Sequence, residues 1–144
     1  MIEEKKWRTR RGLGACLKRA ANLALARGGN EGGALTILLS GDKRLQTLNV
    51  SFRGKDKATN VLSFPARRGE YLGDVAIAYG VTAKEAREQN KTFSDHALHL
   101  AVHGVLHLLG YDHETTRAAR VMESLEKSIL NEFGIDDPYA QKAA

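Results

Sequence analysis

Five histidines, His96, His99, His103, His107 and His113, crowd into one short stretch of this 144-residue chain, which has no other histidine. At about 100° per residue, positions 96, 99, 103 and 107 fall near 0°, −60°, −20° and +20° on a helical wheel, a single narrow stripe. His103 and His107 stand at i and i+4, one turn apart, the spacing at which two imidazoles reach one tetrahedral ion. Gly110 lets the chain turn after them, and His113 can swing back as a third ligand. Three neutral nitrogens with a fourth position open make a catalytic type of zinc site, whereas structural zinc is closed by four ligands. Imidazole donors favour zinc or another transition metal over magnesium or calcium, which prefer oxygen. His96 lies roughly 10 Å up the helix axis from His103, too far for a fourth ligand. His99, one turn from His103, is a candidate to line the pocket, orient a ligand or meet substrate. His99 and Asp112 are the candidate catalytic acid or base, Asp112 serving equally well as a hydrogen-bond partner to a ligating imidazole.

The spacing His-x3-His-x2-Gly-x2-His is that of the metzincin proteases, which carry a glutamate directly after the first histidine as general base. Here that place is Gly104, so peptide hydrolysis by that route lacks its base. A second chemical feature lies upstream, in Phe52-Arg53-Gly54-Lys55-Asp56-Lys57-Ala58-Thr59-Asn60. Three cations in five residues, with a glycine that lets backbone approach, suit a phosphate: Arg53 by a bidentate grip, Lys55 and Lys57 as point charges. A merely solvated loop is the plain alternative. Asp74, inside a strand-like run, matters to the chemistry only if that strand ends near the metal.

These residues need elements to hold them. Leu13 to Arg27 reads as a helix stopped by Gly28-Gly29. Ala34 to Ser40 reads as a buried strand and Asp42 to Asn49 as a short helix. Val61 to Phe64 forms the next strand, ended by Pro65. A turn at Arg67-Arg68-Gly69-Glu70 leads into a strand from Tyr71 to Tyr79, with Val75, Ile77 and Tyr79 on one side. Thr82-Ala83-Lys84-Glu85 has the form of a capping box opening a helix. The histidine helix runs from about Ser94 to Leu109, and Gly110 stops it. A last helix covers Thr115 to about Phe133 with Val121, Met122, Leu125, Ile129 and Leu130 as its apolar stripe, and the tail beyond it should fray. The sum is an α+β fold in one layer pair, a single domain with a small mixed sheet, several helices and the zinc site at the end of a central helix.

A hydrophobic fraction of 42% supports a real core at this length. One cysteine, Cys16, excludes an internal disulfide, and its helical setting suits a small packed hydrophobe. The N-terminal residues carry charges without an apolar stretch, and no apolar run reaches membrane-spanning length, so a soluble cytoplasmic protein is expected. The net charge of +5 is uneven: residues 1–68 carry 15 Lys/Arg against 5 Asp/Glu, and residues 69–144 carry 7 against 12. A balance of +10 against −5 points to an anionic partner for one surface, nucleic acid being the commonest. The acidic last helix should turn away from it, so that changing Glu126, read as a surface residue, should hardly matter.

The run His103-Gly-Val-Leu-His107-Leu-Leu-Gly-Tyr-Asp-His113 resembles the signature of the YbeY family of bacterial endoribonucleases. The resemblance extends to Asn49-x-x-Phe52-Arg53-Gly-Lys55-Asp56-Lys57-x-Thr59-Asn60-Val-Leu-Ser-Phe-Pro65 and to Leu72-Gly73-Asp74, with Phe52 where tyrosine is common and Ala58 where proline is common. It implies an α+β fold with the three histidines on a zinc ion. It also implies cleavage of single-stranded RNA in maturation of ribosomal RNA, notably the 3′ end of the 16S RNA, and a part in ribosome quality control. Arg53 and the histidine triad are then the positions used for activity, with ribosomal RNA and the small ribosomal subunit as partners and ribosome-associated proteins as further ones. Two other readings remain open: a non-catalytic zinc-containing assembly factor that binds ribosomal RNA, and a metal-dependent hydrolase of another substrate.

Overall fold

The computed structural model describes residues 1–54 and 59–139, with the Arg53 and Arg67 side chains outside the description. Its centre is β3 (Tyr71–Ala78), flanked by β1 (Ala34–Ser40) in parallel and β2 (Val61–Arg68) in antiparallel pairing, in the order β1-β3-β2. A central strand needs apolar residues on both faces, and β3 has them: Val75 and Ile77 enter the larger core, Ala76 and Ala78 a smaller one. Helices α1 (Leu13–Arg27), α3 (Tyr79–Glu88), α4 (Phe93–Leu108) and α5 (Thr116–Asn131) gather on the side of the larger core. Helix α2 (Asp42–Arg53) covers the opposite face with Leu45 and Leu48, so the α+β architecture has a layer on each face of the sheet rather than a single layer pair.

Helix α1 and strand β1 keep the expected bounds, while other elements differ for identifiable reasons. Helix α2 continues one turn past Asn49 to Arg53, where Gly54 in the left-handed conformation caps it. Pro65 does not end β2. Ala78 N donates to Asn60 O, and in an antiparallel ladder this alternation leaves Val61, Ser63 and Pro65 with their backbone groups turned away from β3. A proline at such a position on an edge strand gives up no ladder bond. The capping box at Thr82 is not used. Strand β3 ends at Ala78, α3 starts at Tyr79, and Thr82 lies inside the helix with its hydroxyl donating to Ala78 O at 2.6 Å.

Helix α4 is apolar nearly all round, which makes it the central helix: Ala97, Ala101, Val102, Val105 and Leu106 are fully buried. Thr92 caps it, accepting from Asp95 N at 3.1 Å. The buried stripe of α5 is Met122, Glu126, Ile129 and Leu130, and Val121 is 46% exposed. The segment after α5 does not fray as far as Tyr139, which docks back on the helix pair; residues 140–144 lie outside the described residues. Cys16 is half-buried against the larger core. Near the N-terminus, Trp7 is buried against Tyr79 and Phe93 and donates its indole N–H to Ser40 O at 2.9 Å.

Candidate active site

Helix α4 carries His96, His99, His103 and His107 along one stripe, as the periodicity predicts. The ring centroids of His103 and His107 are 5.4 Å apart, and those of His103 and His113 are 5.3 Å apart with the rings stacked. Gly110 makes the second approach possible. Its φ of 101° turns the chain immediately after the helix, a conformation that side chains resist. Asp112 accepts from Glu114 N at 3.0 Å and so fixes the turn that presents His113. The structure thus brings His103, His107 and His113 to one place, with His107 and His113 open to solvent. Partial burial first, and the neighbouring His103 second, lower the His107 pKa and favour its neutral form.

Among the described residues, the donor group compact enough to share one ion is not the expected triad. One ligand atom each from His103, His113 and Glu126 lie within 4.8 Å of one another, and His107 stands outside that group. Glu126 overturns the expectation that it is a surface residue with little consequence. Its side chain is fully buried, with Oε2 receiving His99 Nε2 at 2.7 Å and the Tyr139 hydroxyl at 2.8 Å, and Oε1 meeting His103 Nδ1 at 3.2 Å. Burial alone would raise the carboxyl pKa, but the bonds from His103 and His99 outweigh it and hold the group down to about 2. A carboxylate bound to Nδ1 fixes the tautomer and aim of an imidazole and leaves Nε2 for a metal. The donor set therefore suits an ion of the imidazole-binding kind. The signal was present in the sequence: Glu126 falls on the same face as Met122, Ile129 and Leu130, a charged residue within an apolar stripe.

His99 touches Glu126 and stands T-shaped to the Tyr139 ring, and its buried Nδ1 has no hydrogen-bond partner among the described residues. It lines, with His96, His103, Glu85, Asn60 and Tyr139, a cavity of about 430 Å³. His96 is buried, and its Nε2 meets Glu85 Oε1 at 2.9 Å. Glu85 in turn accepts from Asn60 Nδ2 at 3.0 Å, which anchors the start of β2. Burial lowers the His96 pKa against the opposing pull of Glu85. Asp74 accepts from the Tyr71 hydroxyl on the sheet and does not line the groove described next.

A separate groove of about 530 Å³ runs along the outer edge of β2, with His103, Gly104 and His107 on one wall and Phe52, Leu62 and Phe64 on the other. Gly104 allows this packing. A Cβ there would meet Val75 Cγ1 at 2.5 Å and Val61 Cγ2 at 3.2 Å, and Ser63 Oγ donates to Gly104 O at 2.8 Å. The position that holds the general base in metzincins faces the sheet here and has no room for a side chain. Arg53 is the last residue of α2, next to Phe52; Lys55 and Lys57 lie outside the described residues. No described helix is long and apolar enough to cross a membrane.

Comparison with known proteins agrees with the signature. A protein of Rhodopseudomonas palustris named Endoribonuclease YbeY is 47% identical over 150 residues, covering 97% of this chain and 79% of its own. One of Nitrobacter winogradskyi with the same name is 47% identical, covering 93% and 77%. The solution structure of TM1509 from Thermotoga maritima superimposes with a TM-score of 0.61 at 26% identity, covering 98% of this chain and all of the other. The sequence model of the Endoribonuclease YbeY family matches residues 2–134, and with relatives at this identity the chain belongs to that family of hydrolases acting on RNA.

Proposed function

We propose that residues 1–144 work as one zinc-dependent endoribonuclease unit that cleaves single-stranded RNA in the cytoplasm. Its role is maturation of ribosomal RNA, notably the 3′ end of the 16S RNA on the small subunit, and ribosome quality control. The observation that carries this reading is the approach of His107 and His113 to His103 in a YbeY-family chain, with His103 and His107 on the wall of an open groove. His103, His107 and His113 would hold the ion, which supplies Lewis acidity for a phosphoryl oxygen and activates water at neutral pH.

The chain's own groups do the rest. Glu126 accepts from His103 Nδ1 and keeps its other nitrogen aimed at the site, so His99 and Tyr139 contribute through Glu126. Arg53, at the end of α2, stabilises charge that builds on the non-bridging oxygens, and Lys55 and Lys57 hold the strand. Gly104 supplies no base, which speaks against peptide hydrolysis by the metzincin route.

The deciding experiment measures metal content and cleavage of a defined single-stranded RNA in wild type and in His103→Ala/His107→Ala. Wild type should carry close to one transition-metal equivalent and cleave; the double variant should lose both. Wild-type metal content in the double variant would refute the ligand assignment. Cleavage lost on metal removal, with RNA affinity retained, separates this reading from a binding-only assembly factor.

A further inference from the structure

The groove has two chemically different walls, and the proposed reaction gives the aromatic residues of one of them no role. His103 and His107 stand on the wall from α4, where the scissile phosphate belongs under the proposed function, on which this inference rests. The opposite wall is aromatic. Phe52 is 68% exposed at the end of α2, and its ring sits 5.0 Å from that of Phe64, tilted by 58°. Phe64 is half-buried against Leu45, Leu48 and Leu62, so it is a fixed support, while Phe52 offers most of its surface to solvent. Between the walls runs the free edge of β2, where the amide and carbonyl of Ser63 face outward.

We propose that Phe52, backed by Phe64, is a stacking subsite for one unpaired nucleobase flanking the scissile phosphate. Covering an exposed aromatic face removes apolar surface from water, and a nucleobase is a flat ring of matching size. Single-stranded RNA splays its bases for such contacts, whereas a duplex keeps them stacked inside, so the subsite selects unpaired substrate. The outward Ser63 groups lie where they can meet polar base edges. Every base has a π-face, so the site tolerates different sequences. An edge strand beside metal-binding histidines also suits an extended peptide, but a peptide backbone makes no use of an exposed phenyl pair and Gly104 offers no base for its hydrolysis.

The test measures equilibrium binding of a short single-stranded RNA carrying 2-aminopurine beside the cleavage site, and of the same RNA with an abasic nucleotide at that place. Wild type, Phe52→Leu and Phe52→Tyr are compared, leucine keeping the apolar contact with Phe64 and tyrosine keeping the ring. Phe52→Leu should weaken binding of the intact RNA by about tenfold, Phe52→Tyr by less than about twofold, and all three should bind the abasic RNA alike. Metal content and melting temperature should not change. Equal affinities of wild type and Phe52→Leu would overturn the subsite, as would a loss that persists on the abasic RNA. Equally Phe52-dependent binding of an extended peptide would overturn it in favour of a peptide cleft. Binding is read without cleavage, so an inactive wild type would refute the proposed function while these affinities still decide the subsite.

Discussion

Replacing Glu126 tests the buried half of the site. Its carboxylate is fully buried and receives three hydrogen bonds, at 2.7 Å from His99, 2.8 Å from Tyr139 and 3.2 Å from His103. Glu126→Ala leaves those donors without their acceptor and opens a cavity beside Met122 and Ile129. Breaking a buried charged network by removing one partner costs about 3–5 kcal/mol, a large part of the roughly 5–15 kcal/mol that holds a domain folded. At about 3 °C per kcal/mol for a chain of this size, the metal-free protein should melt about 9–15 °C lower. Glu126→Gln keeps the shape and one acceptor oxygen but turns an amide toward a donor, so roughly 1–3 kcal/mol is lost. It also removes the negative charge that fixes the His103 tautomer, and zinc affinity should fall about 10- to 100-fold. Thermal melts of metal-free protein and calorimetric zinc titration read the two effects separately. A Glu126→Gln protein that melts within about 1 °C of wild type and binds zinc equally well would refute the reasoning.

The remaining predictions concern charge. Arg53→Ala should lower single-turnover cleavage by about 10²–10³-fold with metal content intact, and Arg53→Lys should restore little because lysine lacks the planar fork; full activity in Arg53→Ala would show the loop to be only a solvated segment. RNA affinity should fall steeply with salt, and neutralising Lys55 and Lys57 should flatten the slope of log affinity against log salt by about 2; an unchanged slope counts against their phosphate contacts. Because the folded pKa of His96 is lowered, chiefly by burial, the unfolded chain takes up a proton that the native state refuses. The stability from His96 is therefore complete above its ordinary pKa of 6.5 and declines as pH falls below that value toward the folded pKa. Melting temperatures between pH 7.5 and 5 should show this decline in wild type and less of it in His96→Gln, and identical profiles would exclude His96 as its source.

Local pattern carried much of this protein into view. The bounds of α1 and β1, the histidine stripe on one helix and the turn after Gly110 all follow from periodicities and breakers a few residues long. The same holds for the signature that shows the family. Where the expectation failed, the surrounding elements decided. Pro65 is harmless because β2 is an edge strand, a fact of sheet order. Thr82 is no cap because β3 ends at Ala78 and the helix begins at once.

Glu126 marks the limit most plainly. By itself a glutamate in a charged helix reads as solvated, since burying a lone carboxylate is prohibitive. Two histidines from α4 and a tyrosine from the C-terminal segment make that burial tolerable, from 27, 23 and 13 residues away in sequence. Gly104 is a second case. The sequence shows that the base is missing, but only the packing of α4 on the sheet shows why, since Val75 occupies the space a side chain would need. Residue type and spacing singled out groups with the chemistry to bind a metal and an anionic chain. Tertiary packing decided which carboxylate holds those imidazoles in place and which aromatic face opens onto the groove, because both depend on contacts between segments that the sequence keeps far apart.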